Sequence, residues 1–313
     1  MRDQFIQFMK ICAIVLNYNL PADTISVVAD LKKQVLPKNW KLEIIVVDNA
    51  STDNSIEKIR LAYPEIILLP QPQNLGVAGG YNAGLKYALK RNADFFITLN
   101  NDLIINQKDC LEILVTTLKN NKKSGAVVPM IYFAKGFEYH GLRYHQAELG
   151  KVIWYAGGII DWNNILLSHR GVDKTNSRAY QKIEDTDFIT GAFMVFKKEI
   201  LKKVGLFDEK YYLYLEDADL SQRIKRAGYR LLFVPQAKIS HKVSQTSGNK
   251  IGGELNDYYI TRNRLLFGLK YAGLRTKIAL LREALRLLSS GRSYQKEAVK
   301  DFFLLKFGRK NTL

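Results

Sequence analysis

The chain has 313 residues, 47% of them hydrophobic, and a mean hydropathy of −0.15, enough to bury an ordinary core and too apolar for general disorder. It carries 47 Lys and Arg against 30 Asp and Glu, a net charge of +17; residues 262–313 alone hold 13 cations and 3 acids, an asymmetry that points to an anionic surface, either nucleic acid or acidic lipid headgroups. Two cysteines without metal or redox spacing, no apolar run of about 18 residues and no secretory leader exclude a disulfide scaffold and a membrane span, so a cytosolic chain is expected, or one attached to a membrane from the cytosolic side.

In chain order, residues 11–16 form a continuous apolar run of the kind expected for a buried parallel strand, and Pro21 opens a helical stretch to about Val35. A second such strand, 42–47, ends in Asp48, and Ser51-Thr52-Asp53 supplies capping residues for a helix over 56–62. Strand 66–69, helix 77–91, strand 94–99, helix 108–120 and strand 126–129 follow. This alternation predicts an α/β protein with a doubly wound, mostly parallel sheet flanked by helices. Residues 132–187, rich in Tyr, Trp, His and Gly, lack periodicity and read as excursions from the core. Regular patterns resume at 188–196, 198–204, 219–227 and 231–234, and beyond Tyr258 the chain turns helical and basic.

Ligands of open parallel sheets bind beyond the carboxyl ends of the strands. Asp48 and Asp102 both follow predicted strands, so they share that rim. One suits a nucleobase imide or ribose hydroxyl; the other suits a hard cation shared with phosphate oxygens. Each alone is equally an ordinary strand-end or capping residue. The glycine-dense passage from Asn74 to Gly84 opens a helix, where close backbone approach and a helix N-terminus favour phosphate, although such turns also serve packing. Glu216, Asp217 and Asp219 place three carboxylates in four positions before a helix; crowding and burial there would raise a pKa toward that of a general base. His241 ends another predicted strand and could be a second ligand for a manganese-type ion.

Taken in order, these stretches resemble the inverting glycosyltransferases of family two with the GT-A fold, most closely bacterial rhamnosyltransferases of surface polysaccharide assembly. The matching motifs are Ala13-Ile14-Val15-Leu16-Asn17-Tyr18-Asn19, Val46-Val47-Asp48-Asn49-Ala50-Ser51-Thr52-Asp53, Asn74 through Gly84, and Leu99-Asn100-Asn101-Asp102. They continue with Thr190-Gly191-Ala192, Gly205-Leu206-Phe207-Asp208, Glu216-Asp217-Ala218-Asp219-Leu220 and Arg262-Asn263. The resemblance implies a catalytic domain over 1–260, with a nucleotide-binding half to about 130 and an acceptor-side half over 131–260, then a basic amphipathic helical tail over 261–313.

It also implies roles. Asp48 would contact the nucleotide base, with Asn17, Asn19, Asn74, Gly79, Asn82 and Asn101 around the nucleotide. Asp102 and His241 would hold Mg²⁺ or Mn²⁺ on the donor diphosphate. Asp217 would be the base, with Glu216 and Asp219 shaping its field. Trp154, Tyr155, Gly191 and Arg262 would lie on the acceptor side. The metal motif departs from many members, which carry an Asp first or a Pro in the middle; here a single charged ligand remains. The implied reaction moves a sugar, first L-rhamnose from thymidine-diphosphate rhamnose, to a hydroxyl of a saccharide or lipid-linked saccharide; a UDP- or GDP-sugar donor is the alternative.

In the tail, Leu274, Ile278, Leu281, Leu285 and Leu288 recur at helical spacing beside Arg275, Arg282 and Arg286. The pattern fits an amphipathic helix on an anionic membrane, or a helix packed on the catalytic domain or on a second subunit as a homodimer. A sugar nucleotidyltransferase would need a Gly-rich, Arg-containing loop where Asn17-Tyr18-Asn19-Leu20-Pro21 stands. A basic nucleic-acid-binding or membrane-binding protein without catalysis would explain the charge and leave the ordered carboxylates unexplained, and no nucleic-acid partner is expected.

Overall fold

A computed structural model describes residues 8–175, 178–243 and 253–310. The elements in order are β1 (Met9–Asn17), α1 (Pro21–Lys32), β2 (Trp40–Asp48), α2 (Ser55–Ala62), β3 (Ile67–Pro70), α3 (Gly76–Lys90), β4 (Phe95–Asn100), β5 (Leu103–Ile104), α4 (Cys110–Asn120) and β6 (Ser124–Phe133). Then come β7 (Ile153–Tyr155), β8 (Gly158–Asp161), β9 (Leu166–His169), β10 (Glu184–Asp185), β11 (Phe193–Lys197), α5 (Lys198–Val204), α6 (Glu216–Arg226), β12 (Arg230–His241), α7 (Glu254–Tyr271), α8 (Leu274–Ser290) and α9 (Ser293–Phe303).

The main sheet runs β10-β12-β6-β11-β4-β1-β2-β3. β3, β2, β1 and β4 pair in parallel, as do β6 and β12, while β11 runs antiparallel to both β4 and β6. Six strands, β1, β2, β3, β4, β6 and β12, therefore share one direction, with β11 reversed between β4 and β6 and the short β5, β7 and β10 also antiparallel to their neighbours. The apolar runs of β1 and β2 are buried because helices cover both faces of the sheet, which is why neither alternates in polarity.

One consequence fixes the site. Asn17, Asp48, Asn100 and His241 are the last residues of β1, β2, β4 and β12, so all emerge on the same rim. Because β11 is reversed, its start lies on that rim too, Phe193 facing Leu99, and brings Thr190-Gly191 there.

The structure departs from the expected elements in three places. The expected strand 188–196 is short, beginning only at Phe193. The excursion over 132–187 carries β7, which joins the sheet beside β6, and the separate β8-β9 hairpin. The division expected at 260 falls inside α7, one uninterrupted helix whose buried Arg262 and Asn263 grip the segment before α6. Cys12 and Cys110 are buried, and burial pushes both thiols up to about 12, as inert core residues.

Candidate active site

At the rim, Asn17 Nδ2 donates to Asp48 Oδ2 at 2.7 Å, and Ser51 donates to the same carboxylate through its hydroxyl (2.7 Å) and its amide (3.0 Å). Thr24 donates to Asn17 Oδ1 at 2.6 Å, and Asn101 Nδ2 donates to Thr24 at 3.0 Å. Asn19, at φ 54°, accepts the Thr52 amide across the same crevice. Asp48, fully buried, thus ties the ends of β1 and β2 together, with the half-buried Asn19 and Ser51 beside it on the crevice.

Beside this network, Asp102 and His241 meet. His241 Nε2 lies 2.9 Å from Asp102 Oδ1, both residues are buried, and the pairing of β5 with β12 holds them in register. Two ligands about 2.1 Å from one cation at right angles stand about 3 Å apart, so this spacing fits a shared ion as well as a hydrogen bond. His241 Nδ1 is buried without a partner. The Trp154 ring stands edge-on to His241 (4.6 Å) and to His169 (4.4 Å), wedging the metal-candidate imidazole in place. Burial, aided by the neighbouring His241, lowers the His169 pKa to about 4, so His169 is neutral and its Nδ1–H donates to the Trp154 carbonyl. Among the described residues no group of three or more His, Cys, Asp or Glu side chains is arranged to hold a metal ion. The protein thus offers two ligands, one carboxylate and one imidazole, a set that suits a divalent ion completed by diphosphate oxygens.

The acidic triplet divides by environment. Asp217 is half-buried and accepts the Gly191 amide (2.8 Å) and the Ala218 amide (2.7 Å). Desolvation raises its pKa above the usual carboxylate range against those two donors. Glu216 is buried, with Oε2 unpartnered among the described residues; desolvation and the charge of Asp217 push its pKa well up, which favours its neutral form. Asp219 has the opposite environment. Burial would raise its pKa, but Arg223 (2.8 Å), Lys270 (2.6 Å) and Tyr271 (2.7 Å) outweigh that and lower it. With its carboxylate engaged by these three partners, Asp219 ties α6 to α7.

Tyr81, unremarked in the sequence, joins the halves. Its hydroxyl donates to Asn100 Oδ1 at 2.8 Å and contacts the Gly191 carbonyl at 3.3 Å. Burial, then the charges of Glu216, Asp102 and Asp217, drive its pKa far above normal, so carboxylates from two distant parts of the chain act on one phenol. The available signal was one large aromatic among the glycines of α3.

The segment before α6 is strained: Tyr212, Tyr214 and Leu215 all have φ between 62° and 67°. Each such residue costs on the order of 1–3 kcal/mol unless its surroundings impose it. Asn263 Nδ2 binds the carbonyls of Tyr211, Leu213 and Tyr214, and Arg262 binds those of Lys210, Tyr211 and Gly308. Arg262 therefore does not face an acceptor; buried between Tyr258 and Tyr259, it pins the loop that presents Asp217.

Other expectations change likewise. Trp154 and Tyr155 are core residues rather than sugar platforms, and Tyr155 donates to the Phe188 carbonyl at 2.6 Å. Gly191 serves through its amide, which orients Asp217. Asn82 clasps both polar groups of Phe207. Gly79 is buried, and a Cβ there would lie 2.7 Å from Leu75; at Gly80 and Gly84 it would strike Leu16 and Ile14, so these glycines let α3 lie close to β1. The α3 N-terminus is no open phosphate cradle, because the amides of Val77 and Ala78 bond the Tyr212 carbonyl. Asn74 receives the Asn49 side chain and the Tyr212 hydroxyl, linking the nucleotide wall to the strained loop.

A cavity of about 680 Å³ lies at the far end of β12, against Arg170, Asp185, Asp187, Lys225 and Arg230. None of the rim residues lines it, and its position at the strand starts, roughly 30 Å along β12 from His241, separates it from the rim chemistry.

Residues 12–205 match the family model "Glycosyl transferase family 2", and residues 143–299 match "Glycosyl transferase family group 2". The chain is 23% identical over 215 residues to an N-acetylglucosaminyl-diphospho-decaprenol L-rhamnosyltransferase of Mycobacterium tuberculosis, covering 66% of this chain and 68% of that protein. It is 22% identical to the O-antigen chain rhamnosyltransferase WbaN of Salmonella anatum, spanning 66% of this chain and 59% of the relative. Among solved structures, GalNAc-T7 with UDP, GalNAc and Mn²⁺ aligns with a TM-score of 0.65 at 16% identity, covering 95% of this chain and 56% of that one. A mannosyltransferase from Pyrobaculum calidifontis with GDP-Man and Mn²⁺ aligns at 0.54 and 18% identity, covering 94% and 79%. These likenesses establish the GT-A fold.

Proposed function

Because the chain belongs to glycosyl transferase family 2 and is a glycosyltransferase, we propose that it transfers L-rhamnose from thymidine-diphosphate rhamnose, with inversion, to a hydroxyl of a saccharide or lipid-linked saccharide during cell-surface polysaccharide synthesis. The reading is supported most by one observation: Asp48 with Asn17 and Asn101, Asp102 with His241, and Asn100 with Tyr81, Gly191 and Asp217 form three hydrogen-bonded groups on one rim, linked through the consecutive residues Asn100, Asn101 and Asp102. The rhamnosyltransferase relatives favour the sugar; a UDP- or GDP-sugar is the second reading, favoured by the nucleotides bound in the solved structures of similar fold. The enzyme would work on the cytoplasmic side of the plasma membrane.

In this mechanism the acceptor oxygen attacks the anomeric carbon from the face opposite the diphosphate. The C–O bond to the diphosphate breaks as the new glycosidic bond forms, and the acceptor proton passes to an Asp217 carboxylate oxygen. Gly191 and Ala218 amides orient that carboxylate, and neutral Glu216 keeps a second negative charge away from it. A Mg²⁺ or Mn²⁺ ion, held by Asp102 and His241, would supply charge neutralisation on the leaving diphosphate.

A panel of nucleotide sugars tested by thermal shift with Mg²⁺ or Mn²⁺ decides the donor. Thymidine-diphosphate rhamnose should give the largest rise in melting temperature, and the product made with it should carry the inverted anomeric configuration. Stabilisation by UDP- or GDP-sugars alone would replace the donor; a retained configuration would end the single-displacement mechanism.

A further inference from the structure

The basic tail is not absorbed by the reaction. α8 buries Thr276, Leu280 and Ala284 against the rest of the chain, yet a second face, about 120° around the helix, is apolar and open. Leu274 is 74% exposed, Leu285 62%, and Ile278 and Leu281 lie between them on the same stripe, with Leu288 half-buried at its end. At 100° per residue these side chains span an arc of about 80°. Arg275, Arg282 and Arg286 fall together on one flank of the arc, exposed, their guanidinium groups without a hydrogen bond or ion pair among the described residues.

A protein partner would be expected to meet those cations with acids, and a water-facing helix would not carry four exposed aliphatic side chains in register. A bilayer with anionic headgroups satisfies both features: the stripe enters the acyl boundary while the arginines reach phosphates. No helix among the described residues is long and apolar enough to cross a membrane, so contact through α8 would be lateral. We propose that the exposed face of α8 docks this enzyme flat on an anionic lipid surface. The inference deepens the proposed transfer to a lipid-linked acceptor but does not require it, because docking is read without any sugar.

The test is flotation of the full chain with vesicles of phosphatidylcholine, with and without phosphatidylglycerol. The intact chain should float with the anionic vesicles and stay behind with the neutral ones. Each arginine near an anionic surface contributes about fivefold to binding, so the triple variant Arg275→Gln, Arg282→Gln, Arg286→Gln should bind about a hundredfold more weakly. Leu281→Asp with Leu285→Asp should abolish flotation, while donor-induced thermal stabilisation stays native, because neither position touches the rim. Native flotation by the Asp variant, or no flotation by the intact chain, overturns the proposal. So does a chain that is dimeric in solution, becomes monomeric in the Asp variant and floats with neither vesicle, which assigns the face to a second copy.

Discussion

Replacing Asp217 by Asn removes the base while keeping its volume, and the structure sets the size of each effect. Both carboxylate oxygens already accept a backbone N–H, from Gly191 at 2.8 Å and Ala218 at 2.7 Å. An amide can satisfy only one of them and turns its own NH₂ toward the other, a mismatch of about 1–3 kcal/mol in folding stability. Loss of a positioned base lowers turnover by about 10²–10⁴-fold, equivalent to about 2.7–5.4 kcal/mol of barrier at 1.36 kcal/mol per decade. Donor affinity should change little, because the bonds around Asp48 and Asp102 do not pass through Asp217. Glu216→Gln is the matched control: burial already holds Glu216 neutral, so Gln copies its state and should keep kcat within about tenfold. The native enzyme should also lose kcat as pH falls through the folded pKa of Asp217, which desolvation places above the ordinary value of about 3.9. Titration calorimetry with the donor nucleotide and initial rates from pH 4 to 9 measure all three. Turnover within tenfold of native for Asp217→Asn, or equal losses in the two variants, would refute the assignment of the base.

His241→Ala should weaken Mn²⁺ binding measured by electron paramagnetic resonance in the presence of nucleoside diphosphate by about tenfold or more, and Asp102→Asn should do the same; unchanged Mn²⁺ affinity in both would remove this pair as ligands. Asp219→Asn should destabilise the fold by roughly 3 kcal/mol, the lower end for a broken buried ion pair, since Lys270 keeps some solvent. Because its folded pKa is depressed, the Asp219 contribution is present above the unfolded value of about 3.9 and is lost as pH falls through the folded pKa. Denaturant melts between pH 3 and 7 should therefore show the native and Asn proteins converging at the acid end; a constant gap would exclude this ion pair as the cause.

Sequence by itself determined the scaffold. Apolar runs at β1, β2 and β4 and the helices between them could bury only as a doubly wound sheet, and polar residues closing those runs had to share a rim because parallel strands end together. It also supplied the α8 stripe, since helical period alone fixes which side chains align. Only the tertiary structure decided what each polar residue faces. Locally only Arg223, one helical turn after Asp219, separates Asp219 from Asp217; the rest of the difference is that Gly191, 26 positions away, reaches one while Lys270 and Tyr271, more than 50 away, engage the other. Resemblance puts Arg262 and Trp154 on the acceptor side, yet long-range packing holds them inside, on a strained loop and on His241. Hydrogen bonds between residues remote in sequence leave no periodicity behind, so the allocation of side chains between site and support becomes visible only when the chain is closed on itself.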